Sequence, residues 1–235
     1  MATNGKTLSE VPAINRFLTY CRVRTVPGKT VMIHAGDVPD TLYYICSGSV
    51  EVMIEDEDGN EMVLAYLNKG QFFGEMGLFN EQPSRSAWVR TRVSSEIAEM
   101  TYPRFRQIAS ESPGLVFELA TQMATRLTRT NRKLSDLAFV DVTGRVAHAI
   151  RDLCNEPDAM THPQGMQIKV SRQELSRLVG CSREMAGRVL KVLEDEGLVT
   201  ASGKTIVVYN VRPQPKIRAV PDAQSATPAA AANGQ

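Results

Sequence analysis

Few residues of this chain can do redox, metal or covalent chemistry. Its 235 residues include four cysteines, three histidines and one tryptophan. Cys21, Cys46, Cys154 and Cys181 are scattered without a C-x-x-C pair, so reduced core thiols are expected, not disulfides or a zinc site. His34, His148 and His162 share no metal-ligand spacing. No Ser/His/acid set stands out either, so no catalytic residue and no metal ligand is assigned, and the chain is not expected to be an enzyme. A redox or iron–sulfur regulator would need a cysteine cluster near the N-terminus, where only Cys21 stands. No apolar run approaches the ~18 residues of a membrane span, and residues 1–10 are polar, which predicts a soluble cytoplasmic protein with no membrane partner. Bulk charge is nearly absent too. With 27 Lys and Arg against 26 Asp and Glu, the net charge is +1, so a nucleic-acid signal has to be local.

The length suits two compact domains plus a tail, and 43% hydrophobic residues are enough for ordinary cores. The organising stretch runs from Ser112 to Phe139. Ser112 can cap a helix, Pro113 suits its first position, and no further Pro follows before Phe139. Val116, Leu119, Met123, Leu127, Thr130, Leu134 and Leu137 recur at steps of three and four, near the 3.5-residue period of a two-stranded coiled coil. The spacing fits either a dimer seam or a core helix of one large domain. The seam is favoured, because the chain before it reads β and the chain after it reads helical.

Ahead of that helix, Ile14, Phe17, Leu18 and Cys21 mark a short amphipathic helix. Short β segments follow at residues 31–33, 41–46, 50–54, 62–67, 87–91 and 96–100, separated by turn clusters, a spacing that predicts an antiparallel barrel or jelly roll. Val50, Val52 and Ile54 are expected to face inward, against Glu51 and Met53. Glu55, Asp56, Glu57 and Asp58 read as a solvated hairpin tip. A helix over 102–108 leads into the long one. Beyond a break at 139–141, Asp141 caps a helix over 142–153, residues 155–165 read as a loop, and 167–170 as a strand. The last two dozen residues, rich in Pro, Ala and Gln, carry too little apolar content to fold.

Residues 171–209 describe two short helices and a hairpin. Ser171 and Glu174 form a capping box, Gly180 ends the first helix, Ser182 caps the second over 183–194, and Gly197 stops it. A hairpin over 198–209 turns at Ser202-Gly203. This is the layout of a winged helix-turn-helix. On the second helix Met185, Ala186, Val189, Leu190 and Leu193 share one side; Arg183, Glu184, Gly187, Arg188 and Lys191 share the other. An Arg can grip guanine O6 and N7 with two parallel bonds, and a Glu can accept from cytosine N4. Arg183 and Arg188 are therefore assigned to guanines and Glu184 to a cytosine or its neighbour. Arg172, Ser182 and Lys191, with Lys169 beside them, are assigned to phosphates. The competing explanation is a solvated helix face with a Glu184–Arg188 pair. A basic excess over 169–191, Arg177 included, and the small Gly187 on the exposed face favour DNA.

Residues 74–79 read Gly-Glu-Met-Gly-Leu-Phe, and residues 85–88 read Arg-Ser-Ala-Trp. A glycine loop offers backbone N–H groups to an anion, and an Arg with a Ser completes a phosphate cradle. Glu75 suits a ribose hydroxyl. The set fits a nucleotide with one buried phosphate; a tight β turn beside an exposed Arg is the plainer alternative.

These segments, with T-L-Y-Y-I at 41–45, D-V-T-G-R at 141–145, D-A-M-T-H-P at 158–163 and G-C-S-R-E at 180–184, resemble the bacterial cyclic-AMP receptor (catabolite activator) family of cyclic-nucleotide- and redox-sensing transcription regulators, of a virulence-factor-regulator-like kind. The similarity runs from about residue 17 to 210. It implies an α+β architecture: an N-terminal antiparallel β jelly-roll cyclic-nucleotide-binding domain (1–110), a long dimerisation helix and hinge (111–140), a C-terminal winged helix-turn-helix DNA-binding domain (141–211) and a disordered tail (212–235). It also implies that Gly74, Glu75, Arg85 and Ser86 bind the ribose and cyclic phosphate of cAMP, with Arg126 close by. Thr130 would bond the adenine amino group, next to Asn131 from the other subunit, where the family usually has a hydroxyl residue. The resemblance matches Arg183, Glu184 and Arg188 to base readers, and Thr161, His162 and Gly165 to an RNA polymerase contact. Arg22, Arg24 and Arg104 fall on a second polymerase-facing patch. The function implied is a cAMP-responsive homodimeric regulator on palindromic double-stranded DNA. A relative responsive to cyclic di-GMP shares residues 181–190, so the same fold answering cyclic di-GMP, or acting without ligand, is the alternative; the intact Arg85-Ser86-Ala87-Trp88 favours cAMP.

Overall fold

The computed structural model describes residues 12–79 and 84–212. The chain is α+β. After α1 (Pro12–Thr19) come β1 (Arg22–Val26), β2 (Val31–Ile33), β3 (Thr41–Ser47), β4 (Ser49–Glu55), β5 (Glu61–Asn68) and β6 (Phe72–Phe73), then the one-turn α2 (Met76–Phe79), β7 (Trp88–Thr91) and β8 (Ser95–Thr101). Helices α3 (Tyr102–Glu111), α4 (Pro113–Phe139) and α5 (Val142–Leu153) follow. The C-terminal unit holds β9 (Met160–His162), β10 (Gly165–Lys169), α6 (Arg172–Val179), α7 (Arg183–Asp195), β11 (Val199–Ser202) and β12 (Thr205–Tyr209).

Two antiparallel four-stranded sheets, in the orders β1-β8-β3-β6 and β2-β7-β4-β5, make the N-terminal domain. Ile45, Phe73 and Ile97 of the first sheet join Ile33, Val50, Leu67 and Val89 of the second in one core cluster. A second core seats α1, α3 and the start of α4 on Leu42, Tyr44, Phe72 and Met100. There Phe17 packs edge-on to Tyr44, Phe72 and Phe105, a geometry that ring quadrupoles favour. The third core belongs to the C-terminal unit, whose sheet runs β11-β12-β10-β9, yet it includes Val63 and Tyr66 of β5. The two units are therefore packed together, not merely strung on α4.

Several expectations need correcting. The edge strand β1 was not expected, because Arg22 and Arg24 break any apolar alternation; four of its five residues are exposed. Residues 155–165 are not all loop, since β9 pairs with β10. On β4 a register shift between Val52 and Met53 reverses the alternation, so Met53 is buried and Ile54 exposed. Glu51 is also buried, because the C-terminal unit covers the face expected to meet solvent. The hairpin tip is exposed as expected, with Asp56 accepting from the backbone N–H groups of Asp58 and Asn60. Residues 213–235, most of the tail, lie outside the described residues.

Helix α4 carries two stripes where one was read. Leu119 is buried and Met123 packs on the chain's own second core, so neither belongs to an outward seam. The outward stripe is Phe117, Ala120, Ala124, Leu127, Asn131, Leu134 and Ala138, an unbroken heptad of exposed positions. Phe117, Leu127 and Leu134 are 74%, 61% and 64% exposed. At 100° per residue the two stripes lie roughly 140° apart. No helix among the described residues is long and apolar enough to cross a membrane. Leu119→Ala should lower the unfolding free energy by about 2–5 kcal/mol in urea titration; a value near zero would place Leu119 on the outward stripe after all.

Candidate functional site

Gly74 leaves β6 with φ +74°, and a Cβ there would stand 3.0 Å from Arg85 Nη1 and 3.2 Å from Thr41 O. Only glycine takes that conformation without strain while leaving room for the guanidinium. Arg85 Nη1 donates to Gly74 O and to the Tyr102 hydroxyl, both at 2.8 Å, and Nη2 donates to Thr41 O at 2.8 Å. Tyr102 in turn donates to Gly74 O at 2.6 Å, and burial pushes its phenol pKa up. The arginine is thus a buried fixture of the loop, not the exposed side chain of the plainer alternative. Tyr102 was missed by sequence reasoning; it stands at a helix start, where nothing marks a partner.

Glu75 is 5% exposed. Its Oε1 accepts from Arg126 Nη1 of α4 at 2.8 Å, while Arg126 Nη2 donates to Phe72 O at 2.7 Å. One turn earlier, Gln122 accepts from Phe72 N and donates to Gly70 O, each at 2.9 Å. Two side chains of α4 thereby satisfy the free edge of β6 and neutralise the loop's carboxylate. Gly74, Glu75, Arg85, Ser86 and Arg126 surround one small cavity of about 70 Å³, floored by Val52, Phe73 and Val89. Thr130 and Asn131 are exposed and do not line it. Thr130 instead borders a larger cleft of about 710 Å³ between α4, β5 and α5, with Arg129, Lys133 and His148. Burial holds Lys133 down to about 8, and its ammonium donates to Val63 O.

In the C-terminal unit, Ser171 Oγ accepts from Glu174 N and Ser182 Oγ accepts from Met185 N, and Gly180 closes α6 with φ +70°. The caps form as read, with one difference. Glu174 does not turn back on its own helix; it accepts from the Tyr66 hydroxyl at 2.6 Å. Arg183, Glu184 and Arg188 are exposed on α7, and among the described residues no ion pair joins Glu184 to Arg188. Lys191 pairs with Asp195 at 2.8 Å. The side chain of Arg172 crosses Gly187, 3.4 Å from where a Cβ would stand, so the small residue admits an arginine from α6 beside the α7 face. Lys169 is exposed at the end of β10. Arg177 does not join them. It points back at the β domain, where it meets Glu51 at 3.0 Å.

Of the other assigned residues, Thr161 and His162 lie on β9 and Gly165 opens β10. A Cβ at Gly165 would stand 2.0 Å from Val208 O, so packing alone accounts for that glycine. Arg22 and Arg24 share Glu99, at 3.8 and 3.1 Å. Arg104 lies over the Tyr20 ring, 4.8 Å from its centre, which brings it to the start of β1.

Two family models match the chain: the cyclic nucleotide-binding domain over residues 23–112, and the bacterial regulatory proteins of the crp family over residues 168–199. The cAMP-activated global transcriptional regulator CRP of Salmonella typhimurium is 53% identical over 201 residues, covering 86% of this chain and 96% of that protein. The cAMP-activated global transcriptional regulator Vfr of Pseudomonas aeruginosa is 54% identical over 202 residues, covering 85% and 94%. Among solved structures, the c-di-GMP responsive global regulator CLP of Xanthomonas campestris superposes with a TM-score of 0.79 at 48% identity, covering 84% and 98%.

Arg126→Met should cost about 3–5 kcal/mol, since it leaves the Glu75 carboxylate buried and unpaired. Adding Glu75→Gln should restore a large part of that loss in a double-mutant cycle read by urea denaturation. Additive losses would mean the pair is not coupled.

Proposed function

Since the chain belongs to the bacterial regulatory proteins of the crp family, with a cyclic nucleotide-binding domain ahead of the DNA-binding unit, we propose that it is a homodimeric transcription regulator switched by cAMP. Activation, repression or both would follow from where it sits on a promoter. The observation that carries this reading is the tie between the nucleotide loop and the helix behind it: Gly74, Glu75, Arg85 and Ser86 share one cavity with Arg126 of α4. That same helix runs through the exposed heptad to the C-terminal unit.

On this reading Ser86 and the loop's backbone N–H groups receive the cyclic phosphate, with the Arg85 guanidinium beside it, and Glu75 takes the ribose hydroxyl. Cyclic AMP supplies no chemistry here; it is an allosteric effector. Thr130 and Asn131 stand one turn beyond Arg126 toward the hinge. The adenine would reach them from the cavity, Asn131 from the second copy, because Asn131 lies on the outward heptad and Thr130 between the two stripes. Pairing along Phe117, Leu127 and Leu134 would place two α7 helices over a palindrome, about one DNA turn or ~34 Å apart. Arg183, Glu184 and Arg188 then read bases, and Arg172, Ser182 and Lys191 hold phosphates, with Lys169 at their edge. The switch is a population shift, with cAMP binding the DNA-competent arrangement better than the idle one.

Thr161, His162 and Gly165 at the β9–β10 hairpin, and Arg22, Arg24 and Arg104 on one basic patch, are proposed to touch RNA polymerase. A regulator of chromosomal promoters would act in the cytoplasm, where this reading puts the protein. A second reading has one observation in its favour: the relative CLP, 48% identical, is a c-di-GMP responsive global regulator.

Fluorescence anisotropy on a palindromic fragment, with cAMP, cGMP, cyclic di-GMP or no ligand, separates these readings; cAMP is expected to tighten binding most. Tightening by cyclic di-GMP alone would replace the first reading with the second. Arg85→Leu should abolish cAMP binding in calorimetry while cooperative unfolding persists, and retained binding would contradict the site. Glu184→Gln should change base preference, whereas Arg172→Ala should weaken all sequences about equally and reduce the salt slope by about one; the reverse pattern in a selection assay would refute the division. Leu127→Glu should give a monomer by analytical ultracentrifugation, and a persistent dimer would refute the heptad as the seam.

A further inference from the structure

Strand β4 has two working faces. Val52 and its cross-strand partner Val89 on β7 line the small cavity beside Gly74 and Arg85. One residue along, Glu51 and its partner Arg90 point the other way, under α6 of the C-terminal unit. There Glu51 Oε1 accepts from Arg90 Nε at 2.7 Å, and Glu51 Oε2 accepts from Arg177 Nη2 at 3.0 Å. Glu61 of β5 closes the ring. It accepts from Arg90 at 3.1 Å, and its Oε2 lies 2.9 Å from Arg177 Nε in an ion pair without hydrogen-bond geometry, which leaves that N–H buried and unsatisfied. The Glu51 and Arg177 side chains are only 8% and 16% exposed. Two arginines and two glutamates thus alternate around a ring, three of them on the β domain and Arg177 alone on the C-terminal unit.

A surface ion pair would add little. A buried one of this kind is different: truncating a single partner strands a charge, so it fixes geometry even where its net stabilisation is small. We infer that Arg177, which precedes the recognition helix by six residues, is a positioning residue. Held by Glu51 and Glu61, it ties the orientation of the reader to the strands whose opposite face lines the ligand cavity. A shift of β4 and β7 around a ligand therefore moves the seat of α6 directly, in parallel with the route through α4. Arg177 belongs to the basic run of the DNA-binding unit by sequence but makes no contribution to holding phosphate.

The inference rests on the cAMP-responsive reading given above. Its test uses full-length Glu51→Gln, Arg177→Gln and the double variant, with Glu61→Gln as a milder change at the more exposed corner. Operator affinity is measured with and without cAMP across a salt series. The ratio of the two affinities should change at least about fivefold in Glu51→Gln and in Arg177→Gln and by less in Glu61→Gln, and the double variant should change it no further than either of the first two. The salt slope should stay as in the parent protein. A ratio unchanged in all four, or independent effects that multiply in the double variant, would overturn the proposal. So would equal weakening with and without cAMP plus a salt slope reduced by about one in Arg177→Gln, which would make Arg177 a phosphate contact. Amide hydrogen exchange distinguishes failure of the premise. If the parent ignores cAMP, the functional reading fails, and the latch is judged by exchange in Glu51→Gln: faster in both β4 and α6 supports it, unchanged overturns it.

Discussion

A buried carboxylate has to find a cation, and for Glu75 the cation comes from another element. Glu75 and Arg126 join the turn after β6 to the middle of α4. Gln122 supports the same junction by satisfying the β6 backbone. Removing either charge leaves the other stranded in a poorly hydrated place, so the loop and the helix have to move together or not at all. The proposed route from the nucleotide cavity along α4 uses this junction. The cavity lies on one side of it, the outward heptad on the other, and the end of α4 at Val140 about 21 Å along the helix at 1.5 Å per residue.

The β domain meets the C-terminal unit a second time, across the outer face of β4 and β5. Tyr66 donates to Glu174, Arg92 lies 3.7 Å above the Tyr66 ring, and Asn68 donates to Glu156. Val63 and Tyr66 complete the hydrophobic core of the reader. The reader thus has two attachments to the sensor, a covalent one through α4 and a packed one through the sheet. A regulator built this way can set the reader's angle by shifting the balance between a few alternative packings, which suits a small ligand with limited differential binding energy.

Much of this was legible in the chain. The helix caps at Asp141, Ser171 and Ser182 and the stop at Gly180 depend on local chemistry, and local chemistry is what a sequence displays. Gly74, Glu75, Arg85, Ser86 and Arg126, which the family resemblance singled out, line one cavity. The misses share a cause, which is that a side chain's partner can be remote. Leu119 and Met123 have heptad-compatible spacing, but a 3.5-residue period does not say which of two stripes faces home. Glu51 looked solvent-facing because the unit that covers it lies more than a hundred residues on. Arg177 looked like part of a DNA-binding surface because charge counts along a helix ignore direction. Glu174 was read as a local cap when Tyr66 offered a better hydrogen bond from another domain.

The central claim is that occupancy of the loop cavity is felt along α4. Amide hydrogen exchange of the full-length protein with and without cAMP tests it most directly. The account predicts slower exchange in two separate stretches, residues 72–77 of the loop and residues 122–138 of the helix. Protection confined to the loop, with the helix exchanging at its ligand-free rate, would contradict it.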